Sequence, residues 1–312
     1  MEQIIAVILD SGRTGLDMGL YILLPIMVVM SAFMKLLDAK GVLSWFSNLL
    51  APFARIFGIP GLGIFAMIKL LFVSFAGPIA TLALMDRNGT SRRYIAATLA
   101  MVLAMSQANA TFPLSAVGLN IGVILITSVI GGLAAAAFTY YVLTRNLTDP
   151  DTDETIVKST APEEEKKTVI QILGDGGQEG MKIVFSMLPM LILAIFLVNV
   201  FEATGVISLL SSLLAPMLAV IGLPEATVLP IVTKFIAGGT AFMGITIDLM
   251  NDGLISVNEL NRMAGFATNP LDVAGIAIFA AAGKRISQVI RYAVYGGLFG
   301  MTLRGVLHLL IF

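Results

Sequence analysis

Two lysines sit inside runs otherwise apolar enough for lipid, and each lies a few residues ahead of a small-residue break. Lys69 precedes Ser74, Gly77 and Pro78, and Lys234 precedes Gly238, Gly239 and Thr240. An ionisable group at membrane depth is costly and faces a bundle interior or water. Brought near a common axis, the two ammonium groups would attract an anionic group or act as ion-coupled switches. The breaks would expose backbone groups and hydroxyls, and broken helices that point their ends at a midplane site are a recurring device. The blander reading is that each lysine snorkels to an interface or pairs with a carboxylate such as Asp248, while the small residues only let helices pack closely.

Two polar patches follow the breaks. Gln107, Asn109 and Thr111 run into Pro113; Thr268, Asn269 and Asp272 surround Pro270. Amides and hydroxyls offer donors and acceptors together, which suits a polar, hydrogen-bonding solute or, failing that, glue between helices. Other chemistry is poorly provided for. His308 is the single histidine and there is no cysteine. No zinc motif, phosphate-loop lysine motif or Ser/His/Asp grouping occurs, so neither enzyme activity, metal nor cofactor is expected. A net charge of -1 gives no basic surface for nucleic acid.

The elements that must carry these residues belong in a membrane. The 312 residues are 57% hydrophobic and 12% charged, with mean hydropathy +0.93, against about 25% charged in soluble domains. The chain reads as an all-α integral membrane protein. Ile4–Leu9 reads as an interfacial turn or two ahead of a first span at Leu16–Leu37. An amphipathic interfacial helix follows over 42–57, interrupted by Pro52. The run 62–87 is broken at Ser74–Pro78, and its first arm, about 18 Å long, is too short for a ~30 Å hydrocarbon core. A re-entrant hairpin is therefore expected. Helices at 94–108 and 115–143 complete a first repeat, 1–143. An acidic, solvated linker occupies 144–170, and the second repeat, 171–312, restarts with a span at 181–201.

The halves are copies. Pro25 and Pro189, Gly41 and Gly205, Pro52 and Pro216, Gly58 and Gly222, and Pro60 and Pro224 all share one offset, and these residues fix backbone breaks. Pro113-Leu114 pairs with Pro270-Leu271 at a shorter offset. If each broken run is re-entrant, each half crosses three times and the halves are inverted. Fourteen Lys and Arg then lie inside against three outside, namely Arg13, Arg262 and Arg304. Four crossings per half would give eleven against six, a poorer fit to the positive-inside rule. The 38–60 connection carries Lys40 and Arg55 while its twin at 202–224 carries neither residue type. Inversion is the expectation.

The turn Asp86-Arg87-Asn88-Gly89 with Arg92 and Arg93, and the stretch Asn109-Ala110-Thr111-Phe112-Pro113-Leu114, resemble the nucleoside-recognition or Gate membrane domain family. Its relatives include spore maturation membrane proteins, the gates of bacterial ferrous-iron permeases and part of the concentrative nucleoside transporters. The resemblance implies a multi-pass protein of the bacterial inner membrane with two gate copies and a solute-translocation role, with Asn109 and Thr111 near the pore. The absence of a GTPase domain and of cysteine departs from the ferrous-iron type. The expected function is a transporter or permease of a small polar solute or ion, anionic ones included, with membrane lipid around it and a second copy as an allowed partner. The alternatives are a non-transporting scaffold or assembly protein, lipid-phosphate headgroup translocation, and metal-ion permeation.

Overall fold

The computed structural model describes residues 2–73, 75–147 and 167–312, and every regular element among them is helical. Ser74 and residues 148–166 of the acidic linker lie outside the described residues. The chain opens with α1 (Glu2–Asp17), a π-helical turn (Met18–Leu23) and α2 (Leu24–Ala39) in one continuous rod. The π turn has a local cause. Pro25 removes a donor and its ring crowds the preceding turn, and the amide of Leu24 reaches back five residues to Gly19. The expected interfacial turn at Ile4–Leu9 is thus part of the first span's helix. Its polar residues are accommodated because Asp10 and Arg13 face outward, while Ser11, Gly15, Gly19, Leu23 and Met27 are buried at four-residue spacing.

After α3 (Val42–Ile56), the first broken run folds as α4 (Gly61–Phe72) and α5 (Ala76–Arg87). A Cβ on Gly77 would meet the Lys69 side chain at 2.6 Å. Residues eight apart on one straight helix would stand about 12 Å apart, so the chain has turned back on itself. The broken run is thus a helical hairpin. The rest of the half is α6 (Arg92–Ala104), α7 (Ala108–Ser115) and α8 (Ile121–Phe138), which runs on as a π turn to Leu143.

The second half repeats these parts. It comprises α9 (Val169–Ala203), α10 (Val206–Val220), α11 (Val228–Ala237), α12 (Gly239–Asn251), α13 (Val257–Ala267), α14 (Val273–Ala281) and α15 (Lys284–Ile311). The 35-residue α9 matches the 35-residue rod at 5–39, and so starts well before the expected 181. Gly41 and Gly205 both precede their helices with φ near +75°, and Gly58 and Gly222 both follow theirs in the left-handed region, which favours glycine. One expected pair fails. Pro113 lies inside α7, whereas Pro270 lies in the loop between α13 and α14. The two prolines do not occupy equivalent places.

Four helical stretches among the described residues are long and apolar enough to cross a membrane: 5–39, 92–115 (α6 and α7 together), 121–143 and 284–311. The chain is a multi-pass membrane protein. Glycines set how closely its rods approach. A Cβ on Gly15 would strike Ile192 and one on Gly19 would strike Leu188, while Gly180 lies on Met27 and Gly176 on Ala32. Small residues four apart let backbones meet without a steric barrier. Numbering rises along the first rod as it falls along α9, so these twin helices run antiparallel. The twins α8 and α15 do the same, Gly131 lying against Gly300 and Thr139 against Gly296. A buried core of alanine, leucine and methionine from α4, α6, α8 and α15 surrounds the crossing described next.

Candidate functional site

Both polar patches are places where helices stop. In the first half, α6 ends at Ala104 and α7 begins at Ala108, with Gln107 as its N-cap; in the second, α13 ends at Ala267 and α14 begins at Val273, with Asp272 as its N-cap. The two unwound segments cross and bond to each other. The Gln107 amide donates to the Thr268 carbonyl at 3.1 Å, and the Ser106 and Thr268 hydroxyls share a hydrogen bond at 2.6 Å. The Ser106 amide in turn donates to Ser128 on α8.

A guanidinium holds this crossing, and the sequence reading missed its role. Arg304 of α15 is fully buried and donates to the carbonyl of Ala104, to Ser106 Oγ at 2.6 Å and to Thr268 Oγ1 at 3.0 Å. Helix C-termini carry partial negative charge and unpaired carbonyls, so one cation serves the ends of α6 and α13 together. Arg304 was expected among the outward topological charges; it belongs to the interior instead. Its signal in the sequence was weak, a single arginine in a long apolar run. Nearby, His308 is also fully buried, between Thr127 (2.9 Å) and the carbonyl of Asn261 (2.6 Å).

Lys234 and Asp272 meet. Their Nζ–Oδ2 distance is 2.6 Å, with side chains 0% and 6% exposed. Asp248, the carboxylate suggested from sequence, is not the partner: it lies near the far end of α12, a helix length away from the break. Asp272 also accepts from the Gly275 amide at 2.7 Å and so caps α14. Gly238, at φ +88°, turns the chain between α11 and α12 beside the Asp272 carboxylate, and a Cβ on Gly239 would collide with the Gln107 side-chain amide. The second break therefore touches both patches.

Lys69 stands differently. Its Nζ is 3.9 Å from Asp38 Oδ2 on α2, with the side chains 30% and 36% exposed, and the Phe65 ring lies 5.5 Å away. A cluster of Met34, Leu37, Phe72, Ala108 and Phe112 binds α2, α4 and α7 together beside this pair. Pro78 is buried in the first hairpin and Thr240 is half-buried in the second. Asn269 is fully buried but engaged in its own turn, donating to Phe266 and accepting from Leu271. In contrast, Asn109 Oδ1 and Thr111 Oγ1 are buried with no hydrogen-bond partner. Among the described residues no group of three or more acidic, histidine or cysteine side chains could hold a metal ion.

Comparison with known proteins bears on the fold that carries this geometry. The Gate family model, described as nucleoside recognition, matches residues 20–130. Spore maturation protein B of Bacillus subtilis (strain 168) is 28% identical over 142 residues, 44% of this chain and 79% of that protein. The structure of CNTnw in an inward-facing substrate-bound state superposes with a TM-score of 0.69 at 16% identity, over 99% of this chain and 84% of that one. A CNTnw variant in the intermediate 2 state gives 0.73 at 15% identity over the same shares. The likeness to the CNTnw structures is one of fold. Over residues 20–130 the chain is similar to the Gate, or nucleoside-recognition, domain.

Proposed function

We propose that the chain is a permease that carries a small polar solute across the bacterial inner membrane through the helix crossing, between two repeats of opposite orientation. The observation that carries this reading is the set of buried, unpartnered polar atoms in the first turns of α7, Asn109 Oδ1 and Thr111 Oγ1. Leaving buried polar groups unpaired costs about 1–3 kcal/mol each, and such groups are explained where a ligand completes them. The Gln107 side chain, 8% exposed, adds an amide to the same turn. The antiparallel packing of both twin pairs supports inversion, since two copies related by an axis in the membrane plane must run in opposite senses.

The test is uptake into proteoliposomes of the purified full chain, using labelled nucleosides and a panel of small polar solutes. A solute should accumulate, and Asn109→Ala or Thr111→Val should lower its uptake by about tenfold, the worth of one or two hydrogen bonds. If no solute in the panel moves or binds, the scaffold reading replaces this one.

A further inference from the structure

The two lysines occupy equivalent places. Each stands in the last turn of its hairpin's first arm, and the residue closing that arm, Val73 or Gly238, donates its amide to the lysine carbonyl. The caps at equivalent places in the two halves differ. The N-cap of the helix after the crossing is Asp272 in the second half and Gln107 in the first. Asp272 neutralises Lys234 and lets it be buried completely. A neutral amide cannot do this for Lys69, because a buried ammonium needs a charge partner. Lys69 stays partly exposed beside the Phe65 ring, and among the described residues its nearest carboxylate is Asp38, at 3.9 Å, beyond hydrogen-bond length. Its ammonium, with three donors, makes no hydrogen bond to protein among the described residues.

We propose that the lysines have divided roles: Lys234 is an internal tether already satisfied by Asp272, and Lys69 is the cation that takes a carboxylate or phosphate group of the solute in exchange for Asp38. This rests on the transport reading above and narrows its solute to one bearing an anionic group. The surrounding charge agrees. Lys234 and Asp272 cancel, while Arg304 has no carboxylate within 4 Å among the described residues and leaves the crossing electropositive. The cluster of Leu37, Phe72 and Ala108 sets Asp38, Lys69 and Gln107 around one apolar seam, each being adjacent to or one turn from a member. An anionic solute held by Lys69 could thus reach the Gln107 amide and offer a donor to Asn109 Oδ1 or Thr111 Oγ1.

Binding to the purified full chain is measured with matched pairs, uridine against uridine monophosphate and glycerol against glycerol 3-phosphate. The anionic member should bind about tenfold tighter, as one charge-assisted hydrogen bond provides. Lys69→Gln should bring the ratio near one, and Lys69→Arg should keep it. Gln107→Asp, which supplies the missing acid, should recruit Lys69 into a buried pair and lower the ratio as well, with the melting temperature retained. Scrambling of fluorescent phosphatidylglycerol that is lost in Lys69→Gln, without binding of the soluble anions, would place the same anionic group on a lipid. Equal binding of neutral and anionic members, or a ratio unmoved by Lys69→Gln, overturns the assignment of Lys69 and leaves transport standing. If no member of any pair binds or moves and no lipid is scrambled, transport itself falls.

Discussion

Lys234 and Arg304 are both fully buried cations, and they meet the cost of burial in different ways. Lys234 has one carboxylate at 2.6 Å. Removing one partner of a buried pair leaves a lone charge and costs about 3–5 kcal/mol, so Lys234→Met should unfold markedly earlier in detergent. Pairing it with Asp272→Asn should restore most of that stability, because no charge is then stranded and asparagine still caps α14. A double mutant no more stable than Lys234→Met would mean that the pair does more than neutralise itself. Arg304 instead spreads its charge over three acceptors at two helix ends. Lysine keeps the charge but lacks the planar fork that reaches all three. Arg304→Lys should therefore cost about 2–3 kcal/mol, read as a lowered midpoint of thermal unfolding.

Among the elements, what could be read from sequence was what the backbone enforces. Gly41, Gly58, Gly205 and Gly222 mark helix ends that no other residue type closes as cheaply, and their common offset made the repeat visible. The hairpin of α4 and α5 was legible through Gly77 and Pro78, which fall in the first turn of α5, where proline's missing donor is tolerated. Helix starts were not: Asp10, Arg13 and Lys182 suggest solvent, yet they ride the outward side of rods whose inward sides carry glycine. The pairing of Lys234 with Asp272 was also hidden, since 38 residues separate two side chains that only the crossing brings together. Glycine's two uses can be separated experimentally. Gly41 has φ +73° and nothing within 4 Å of an added Cβ; Gly58 has φ +74° and the Tyr140 ring where a Cβ would stand. Gly41→Ala should cost about 1–2 kcal/mol from backbone strain alone. Gly58→Ala should cost a further 1–3 kcal/mol, roughly, from overpacking. Equal losses in thermal midpoint would show that Tyr140 yields freely.

At the scale of the molecule, the outward faces of the two halves match as closely as their punctuation. On α3, Trp45, Leu49, Phe53 and Ile56 are exposed; on α10, the exposed large apolar residues include Leu209, Leu213, Met217 and Val220, at the same successive spacings. Stripes of this kind suit lipid contact in the interfacial plane. In an inverted pair they would lie in opposite leaflets. The charge on their connections fits that placement, because Lys35, Lys40 and Arg55 flank or occupy the first while 202–224 holds no lysine or arginine. The chain has no cysteine, so single thiols can report topology without background. Lys40 and Thr204 are equivalent, exposed residues just ahead of Gly41 and Gly205. With inversion, a membrane-impermeant maleimide added to intact cells should label Thr204→Cys and spare Lys40→Cys until the membrane is permeabilised. Labelling of both positions from one side would mean that the two halves enter the membrane in the same sense.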